Sequence, residues 1–163
     1  MSDQETMQAY ASAANEYADK FADADNENQE ADLHAFLHFI PAGGRVLDLG
    51  CGPGHWAAKL QDLGLFVDAM DASPEMARMA KSRFDLDVQV GAFEDLTVKN
   101  RYNGIWANFS LLHAPRADFP KHLARIHRAL RSGGCLSIGM KIGTGEHRDH
   151  LGRFYAYYGE QEL

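Results

Sequence analysis

The fold of this chain is decided by one stretch, Val46-Leu47-Asp48-Leu49-Gly50-Cys51-Gly52-Pro53-Gly54. It has the pattern of an apolar strand that carries one acidic residue and then meets three glycines at alternate positions. Glycine adopts backbone conformations that other residues avoid, and its missing Cβ lets a ligand approach the main chain. The loop opens onto a helix, whose first N–H groups are free to bind polar ligand atoms. The stretch therefore predicts a backbone shaped to lie against a nucleoside-sized ligand.

Length and composition indicate one globular domain. The 163 residues are 45% hydrophobic and 24% charged, which is ordinary for a soluble protein. The net charge of −7 argues against a nucleic-acid partner, because phosphate binding favours a basic face. No apolar run approaches the roughly 20 residues of a membrane span, and the acidic N-terminus is not a secretory signal. With only Cys51 and Cys135 available, we expect a reduced, cytoplasmic protein that does not associate with membranes.

The rest of the chain alternates between strand-like and helix-like segments. This alternation predicts an α/β fold with a mainly parallel central sheet. Helical spacing predicts two N-terminal helices, over 1–22 and from 33 to 40. Ser73 and Pro74 have the residue types of an N-cap and a first helical position. Strands are predicted at 45–50, 65–71, 87–91, 102–109 and 135–140, and helices at 56–63, 74–84 and 123–130.

Two doubly wound folds compete for the glycine loop. A dinucleotide-binding fold needs the pattern G-x-G-x-x-G, but His55 stands where its third glycine would fall. Asp48 inside the strand is also not part of that pattern. An acid in the strand followed by G-x-G-x-G is typical of S-adenosylmethionine-dependent methyltransferases of the Rossmann-like class I. The sequence resembles this family over about residues 8–158, in particular its small-molecule enzymes of the tellurite-resistance and ubiquinone-pathway type.

A second acidic residue supports this resemblance. Asp71 ends the second predicted strand, 21 residues after Gly50, near the spacing of about 20 expected for a ribose-binding carboxylate. A charged acceptor forms stronger hydrogen bonds to the ribose hydroxyls than a neutral one. Asp68 lies in the middle of the same strand and is not predicted to take part.

The resemblance implies a sheet of order 3-2-1-4-5 and S-adenosylmethionine as the cofactor. The chain departs from the family at Ala92, where many members have an acid, and at His55, where many have an arginine. Packing in the core is the alternative role for Tyr17 and Phe93. The implied cofactor contacts are Tyr17, Asp48, Gly50, Cys51, Gly52, Gly54, Asp71, Ala72, Met76, Ala92, Phe93, Glu94, Asn108 and Ser110.

The implied reaction is a direct displacement at the methyl group of a sulfonium. The protein must hold the acceptor in line with the methyl group, at about 3–3.5 Å, and exclude water. His113 is the candidate catalytic base if the acceptor must lose a proton. The alternative is a half-buried histidine that is hydrogen-bonded to the backbone. No metal is expected, although His147 and His150 have H-x-x-H spacing.

The resemblance also divides the single domain into three parts. They are an N-terminal helical cap over 1–40, a cofactor-binding core over 41–141 and a substrate-side loop or cap over 142–163. Basic residues that follow the fifth predicted strand, such as Lys141 and Arg153, are candidates to receive an anionic small molecule, and a solvated loop is the alternative. The family usually continues with a helix and an antiparallel hairpin, and we expect that hairpin to be missing. The fifth strand would then be an exposed edge, which predicts a homodimer or a shortened chain.

Three functions remain open at this point. The first is S-adenosylmethionine-dependent methyl transfer to a small molecule. The second is a non-catalytic module that binds S-adenosylmethionine or another nucleoside. The third is a nicotinamide-dependent reductase, which the missing glycine at position 55 disfavours.

Overall fold

The computed structural model describes residues 3–12 and 27–163. Five helices, seven strands and two short 3₁₀ turns are found in this part of the chain. The helices are α1 (Gln4–Ser12), α2 (Glu27–Leu37), α3 (His55–Asp62), α4 (Pro74–Phe84) and α5 (Phe119–Ala129). The strands are β1 (Arg45–Leu49), β2 (Phe66–Asp71), β3 (Val88–Val90), β4 (Tyr102–Asn108), β5 (Leu130–Gly139), β6 (Glu146–Arg148) and β7 (Phe154–Ala156). The 3₁₀ turns are Phe93–Asp95 and Leu111–His113.

The central sheet has the strand order β3-β2-β1-β4-β5, and all four of its strand pairs are parallel. This confirms the order expected from the sequence. In the centre, Val46 of β1 is in register with Val67 of β2 and Gly104 of β4. A strand that is paired on both sides and covered on both faces needs apolar residues almost throughout, which explains the sequence of β1. The carboxyl ends of β1, β2 and β4 lie along one edge of the sheet.

Each face of the sheet has its own hydrophobic core. Successive side chains of a strand point to opposite faces, so Leu47 and Ile105 pack on one side and Val46 and Trp106 on the other. Helix α5 covers the first face, and α2 and α3 cover the second. The central sheet is thus the middle of three layers, and its central strands hold the most deeply buried side chains.

The predicted elements match closely where local signals are strong. Helix α4 spans the predicted residues, and the Ser73 hydroxyl caps it by accepting from the Met76 N–H at 3.3 Å. The start of β5 was predicted wrongly. Leu130 was placed in the preceding helix and the strand at 135, but α5 ends at Ala129 and β5 starts at Leu130. The register with β4 shifts between Leu130 and Cys135, so the first residues of β5 pair irregularly. Their side chains do not alternate between buried and exposed positions.

The segment after β5 also differs from the predicted loop. It contains β6 and β7, which pair antiparallel as a separate two-stranded sheet. These strands are three residues long, too short for a periodic pattern. Burial of Tyr155 and Ala156 stabilises the pair, since both pack into the molecule. Among the described strands, β5 pairs only with β4 and forms the edge of the large sheet, as expected.

No helix within the described residues is long and apolar enough to cross a membrane.

The buried centre of the sheet predicts a large difference between two isoleucines. Ile105 is 0% exposed in β4, whereas Ile142 is 74% exposed after β5. We expect Ile105→Ala to lower the free energy of unfolding by about 2–5 kcal/mol, because it leaves a cavity between packed layers. Ile142→Ala, the matched control, should change it by no more than about 0.5 kcal/mol. Urea denaturation measures both values, and equal effects would contradict this description of the core.

Candidate functional site

A cavity of about 710 Å³ opens at the carboxyl edge of the sheet. This is the place where open α/β folds bind ligands. Its floor is formed by the loops that follow β1, β2, β3 and β4, and helix α1 and the β6–β7 segment contribute to its walls. The volume lies within the range of small-molecule sites and can hold a nucleoside together with a second small molecule.

The glycine loop after β1 forms part of the floor. Gly50 and Gly52 both have a positive φ, of 75° and 54°, which favours glycine. A Cβ on Gly50 would collide with the side chain of Ser110, so this glycine allows two segments of the protein to meet. A Cβ on Gly52 would meet nothing within 4 Å and would project into open space. The backbone at Gly52 is therefore accessible to a ligand.

Asp71 holds the glycine loop in place. One carboxylate oxygen accepts the Gly52 N–H and the other accepts the Ser73 N–H, both at 2.8 Å. A carboxylate has about four lone-pair sites, so both oxygens keep acceptor capacity toward the cavity. Burial raises the pKa of Asp71, and the two backbone hydrogen bonds oppose this shift. The arrangement suits a ligand that offers two neighbouring hydroxyl groups.

Asp48 lies beneath the loop and is 2% exposed. Its Oδ2 is buried, and no described residue donates a hydrogen bond to it. Burial, and secondarily the charge of Asp71, raise the pKa of Asp48 to about 8. A cation bound in the cavity would favour the ionised form and lower this pKa. The floor therefore has the electrostatic character of a site for a positively charged ligand.

Asp68, three residues before Asp71 on β2, belongs to another cluster. Its carboxylate accepts hydrogen bonds from Arg45 at 2.7 Å and from Arg101 and Tyr102 at 2.9 and 3.1 Å. It does not line the cavity. Asp68 is thus a structural residue.

Another part of the wall follows β3. Gly91, Phe93 and Glu94 line the cavity, and the Phe93 ring packs against His122 with centroids 5.3 Å apart. The Ala92 N–H donates to Asp95 at 2.8 Å and is used within the turn. The neighbours of Ala92 therefore line the cavity, and Ala92 itself does not.

The end of β4 forms the wall beside the glycine loop. Ser110 is buried, and its hydroxyl donates to the Leu49 carbonyl at 2.6 Å. The Asn108 amide donates to Gln29 of α2 at 3.2 Å. Phe109 between them lines the cavity with a φ of 52°, a conformation that costs energy for a residue with a Cβ. Such strain often occurs at functional sites, and no sequence pattern predicts it at this position.

His113 lies on the cavity wall between α1 and the β6–β7 segment. Its Nδ1 is 2.7 Å from the Phe154 carbonyl, and its Nε2 is 2.7 Å from the Tyr10 hydroxyl. A carbonyl only accepts, so Nδ1 donates and, in the neutral ring, Nε2 accepts from Tyr10. Burial lowers the pKa of His113 to about 4, so the ring stays neutral near pH 7. Both ring nitrogens are hydrogen-bonded, and Tyr10 stands between His113 and a ligand on that side.

Most residues suggested by the sequence meet at this cavity. Those that line it are Asp48, Gly50, Cys51, Gly52, Asp71, Ala72, Met76, Phe93, Glu94, Asn108, Ser110 and His113. Gly54 and Ala92 do not line it. A Cβ on Gly54 would collide with Leu86 and Ala80, so this glycine serves the packing of α3 against α4. Tyr17 lies outside the described residues.

Other lining residues were not proposed as ligand contacts from the sequence. They include Thr6, Met7, Tyr10, Gln29, Trp56, Phe109 and His122. The N-terminal ones belong to helices whose contact with the cavity depends on tertiary packing. A helical repeat of apolar residues indicates that α1 packs against something, but not against which part of the sheet.

Gly50 and Gly52 have different surroundings, so an alanine at each position tests the description of the loop. Gly50→Ala should lower the free energy of unfolding by about 2–5 kcal/mol, because it combines a left-handed backbone with a collision at Ser110. Gly52→Ala should cost only about 1–2 kcal/mol, because it adds the backbone cost without a collision. Urea denaturation of both variants measures the difference. A Gly52→Ala protein that is as unstable as Gly50→Ala would contradict the open position of Gly52.

The raised pKa of Asp48 predicts a pH-dependent stability of the ligand-free protein. An ordinary aspartate has a pKa of 3.8, so between about pH 4 and pH 8 the folded state binds more protons than the unfolded state. The free energy of unfolding should therefore fall as the pH rises through this window. Asp48→Asn removes this titration, so the variant should gain stability relative to wild type from pH 5 to pH 8. Urea denaturation at both pH values checks this, and a constant difference would show that Asp48 is ionised throughout.

The comparisons with known proteins agree with this geometry. A family model described as "Methyltransferase domain" matches residues 46–134. An uncharacterized methyltransferase of Staphylococcus carnosus is 29% identical over 123 residues, which cover 75% of this chain and 58% of that protein. A ubiquinone biosynthesis O-methyltransferase of Xanthomonas axonopodis is 33% identical over 118 residues, 60% of this chain and 49% of that protein. The chain thus spans about half to three fifths of the length of these curated relatives.

A solved structure extends the similarity to nearly the whole chain. It is the 1,6-didemethyltoxoflavin-N1-methyltransferase of Burkholderia thailandensis, with bound 1,6-didemethyltoxoflavin and S-adenosylhomocysteine. The TM-score is 0.78 at 28% identity, and the match covers 98% of this chain and 73% of that one. The family model alone matches more than half of the 163 residues, including the glycine loop and Asp71. The family recognised from the sequence is confirmed: the chain belongs to the Rossmann-like methyltransferase domain family.

Proposed function

We propose that this chain binds S-adenosylmethionine and transfers its methyl group to a small-molecule acceptor. The observation that carries this proposal is the open glycine loop, fixed by a carboxylate that still faces the cavity. The loop leaves room at Gly52, and Asp71 offers acceptors to a ribose. Asp48 adds a buried, unpartnered oxygen beside a site for a cation.

Each part of the cofactor has residues that suit it. Asp71 would bind the ribose hydroxyls, and the backbone of Gly50 and Gly52 would lie against the methionine portion. Asp48 would balance its positive charge. The segment around Phe93 and Met76 supplies apolar surface for the adenine. Bound S-adenosylmethionine supplies a methyl group that is activated by the sulfonium.

The chain's own task is then positioning and exclusion of water. A neutral thioether leaves readily, so the protein need not form a covalent bond to the methyl group. The wall formed by α1 and the β6–β7 segment would shield the acceptor from solvent. The catalytic role of His113 stays a prediction. His113 would act through the Tyr10 hydroxyl, from which its Nε2 accepts a hydrogen bond. Its low pKa makes it a weak base, which favours acceptors that need little help in losing a proton.

The named relatives support a small-molecule acceptor. One is named for ubiquinone biosynthesis, and the solved structure holds a small heterocycle, 1,6-didemethyltoxoflavin. The cavity here has room for both a nucleoside cofactor and a compound of that size. We further propose a cytoplasmic location and a homodimer that covers the edge of β5. The free thiols of Cys51 and Cys135 suit the former, and the exposed backbone of an edge strand suits the latter.

Two aspartates on β2 test cofactor binding. Asp71→Asn should weaken S-adenosylhomocysteine about tenfold or more, because a charged acceptor for the ribose becomes neutral. Asp68→Asn, the matched control outside the cavity, should keep the affinity within about twofold. Isothermal titration calorimetry with S-adenosylhomocysteine measures both. Equal affinities for wild type and Asp71→Asn would overturn the assignment of this site.

Ligand binding and turnover by the wild-type protein distinguish the three competing functions. Titration with NADH should show no binding, whereas binding of NADH in preference to S-adenosylhomocysteine would favour a reductase. A turnover screen with S-adenosylmethionine and a panel of small hydroxyl, amine and thiol acceptors should yield S-adenosylhomocysteine. Binding without turnover on any acceptor would favour the non-catalytic module.

A further inference from the structure

The half of the cavity beyond His113 carries a positive charge that no carboxylate of residues 3–12 or 27–163 pairs with. The other charged side chains that line this half are paired: Asp3 pairs with Arg148 at 2.7 Å, and Arg153 pairs with Asp149 at 2.6 Å. Lys141 also lines the cavity, and within the described part of the chain it has no carboxylate at ion-pair distance. The ammonium group therefore faces the cavity with its charge available to a ligand.

Aromatic rings place this ammonium group. The Lys141 Nζ lies 3.8 Å from the centroid of the Tyr155 ring. Tyr155 is only 4% exposed, and its ring packs against His113 with centroids 4.8 Å apart. A cation over an aromatic face is attracted by the ring and is less free to move. Lys141 is thus held over a fixed platform at the wall of the cavity, where its three N–H donors can reach a ligand.

The charges around Lys141 compensate its own positive charge only in part. Burial, and next the charge of Arg153, lower the pKa of Lys141, and Asp149 opposes them. The opposite situation holds on the cavity floor, where Asp48 and Asp71 are acidic and no cationic side chain of the described residues pairs with them. One cavity therefore has an acidic end and a basic end. The acidic end suits the cationic cofactor, which leaves the basic end for the second ligand.

We propose that the methyl acceptor carries an acid group, a carboxylate or a phosphonate, which the Lys141 ammonium binds at the cavity wall. This inference rests on the proposed methyl transfer, since it concerns the acceptor of that reaction. The rings of Tyr10 and Tyr155 line the same half and suit an acceptor with a flat ring. The acid group would anchor the acceptor beside Lys141, and the side of the cavity at Asp48 and the glycine loop would hold the cofactor.

The test uses the full chain saturated with S-adenosylhomocysteine and three probes of similar size. The probes are 4-hydroxybenzoate, phenylphosphonate and the neutral 4-hydroxybenzamide, and calorimetry measures the affinity of each. Wild type should bind at least one of the anions about tenfold more tightly than the amide, as a charge-assisted contact predicts. Lys141→Met removes the charge and keeps most of the length, so this preference should fall below about twofold. Lys141→Arg should keep it.

Lys121→Met is the matched control, because Lys121 pairs with Asp118 on the surface of α5 and does not line the cavity. It should leave the preference for the anion unchanged. The affinity for S-adenosylhomocysteine is measured in every variant, so failure of the proposed function appears as loss of this binding in wild type. If S-adenosylhomocysteine binds but neither anion does, the inference about Lys141 is overturned. It is likewise overturned if the anions bind no better than the amide, or if Lys141→Met keeps the preference.

Discussion

The carboxylate of Asp71 is the interaction on which the site depends. It accepts one backbone N–H from the glycine loop and one from the start of α4, so it ties the end of β1 to the end of β2. Without it, the N–H of Gly52 would lose its acceptor, and the loop would lose a contact that fixes its left-handed turn. The same carboxylate faces the cavity. One side chain therefore both fixes the loop and presents acceptors to the cavity, and a substitution there affects both.

The three glycines of the loop share a sequence pattern but meet different physical requirements. Gly50 lets Ser110 approach β1, and Gly54 lets α3 pack against α4. Only Gly52 faces open space, where its missing Cβ matters to a ligand. The family pattern is thus a combination of two packing constraints and one binding constraint. This explains why the pattern is specific, since a loop that only had to bind a ligand would not need all three positions.

These differences also show what the sequence could predict. The position of α4 follows from local patterns, and the strand order follows from the family resemblance. The spacing from Gly50 predicted Asp71 at the ligand site but not its hydrogen bond to the glycine loop. The contact between Tyr10 and His113 joins residues 103 positions apart, and no periodicity in either segment encodes it. The β6–β7 pair was missed because its strands are too short to show alternation. Local sequence therefore predicted the side of the cavity at the glycine loop. The side at His113 and Tyr10 is assembled by tertiary contacts.

The distribution of charge links the two halves. Among the described residues, Asp48 and Asp71 lie at the floor without cationic partners, and the Lys141 ammonium lies over the Tyr155 ring without an acidic one. In a cavity of low polarity, charges interact more strongly than in water, so a ligand of the wrong sign is disfavoured at each end. A cationic donor and an anionic acceptor would be drawn to their own ends and also toward each other across the cavity. The protein would thus orient both reactants through the placement of fixed charges, and the displacement itself would require no strong base.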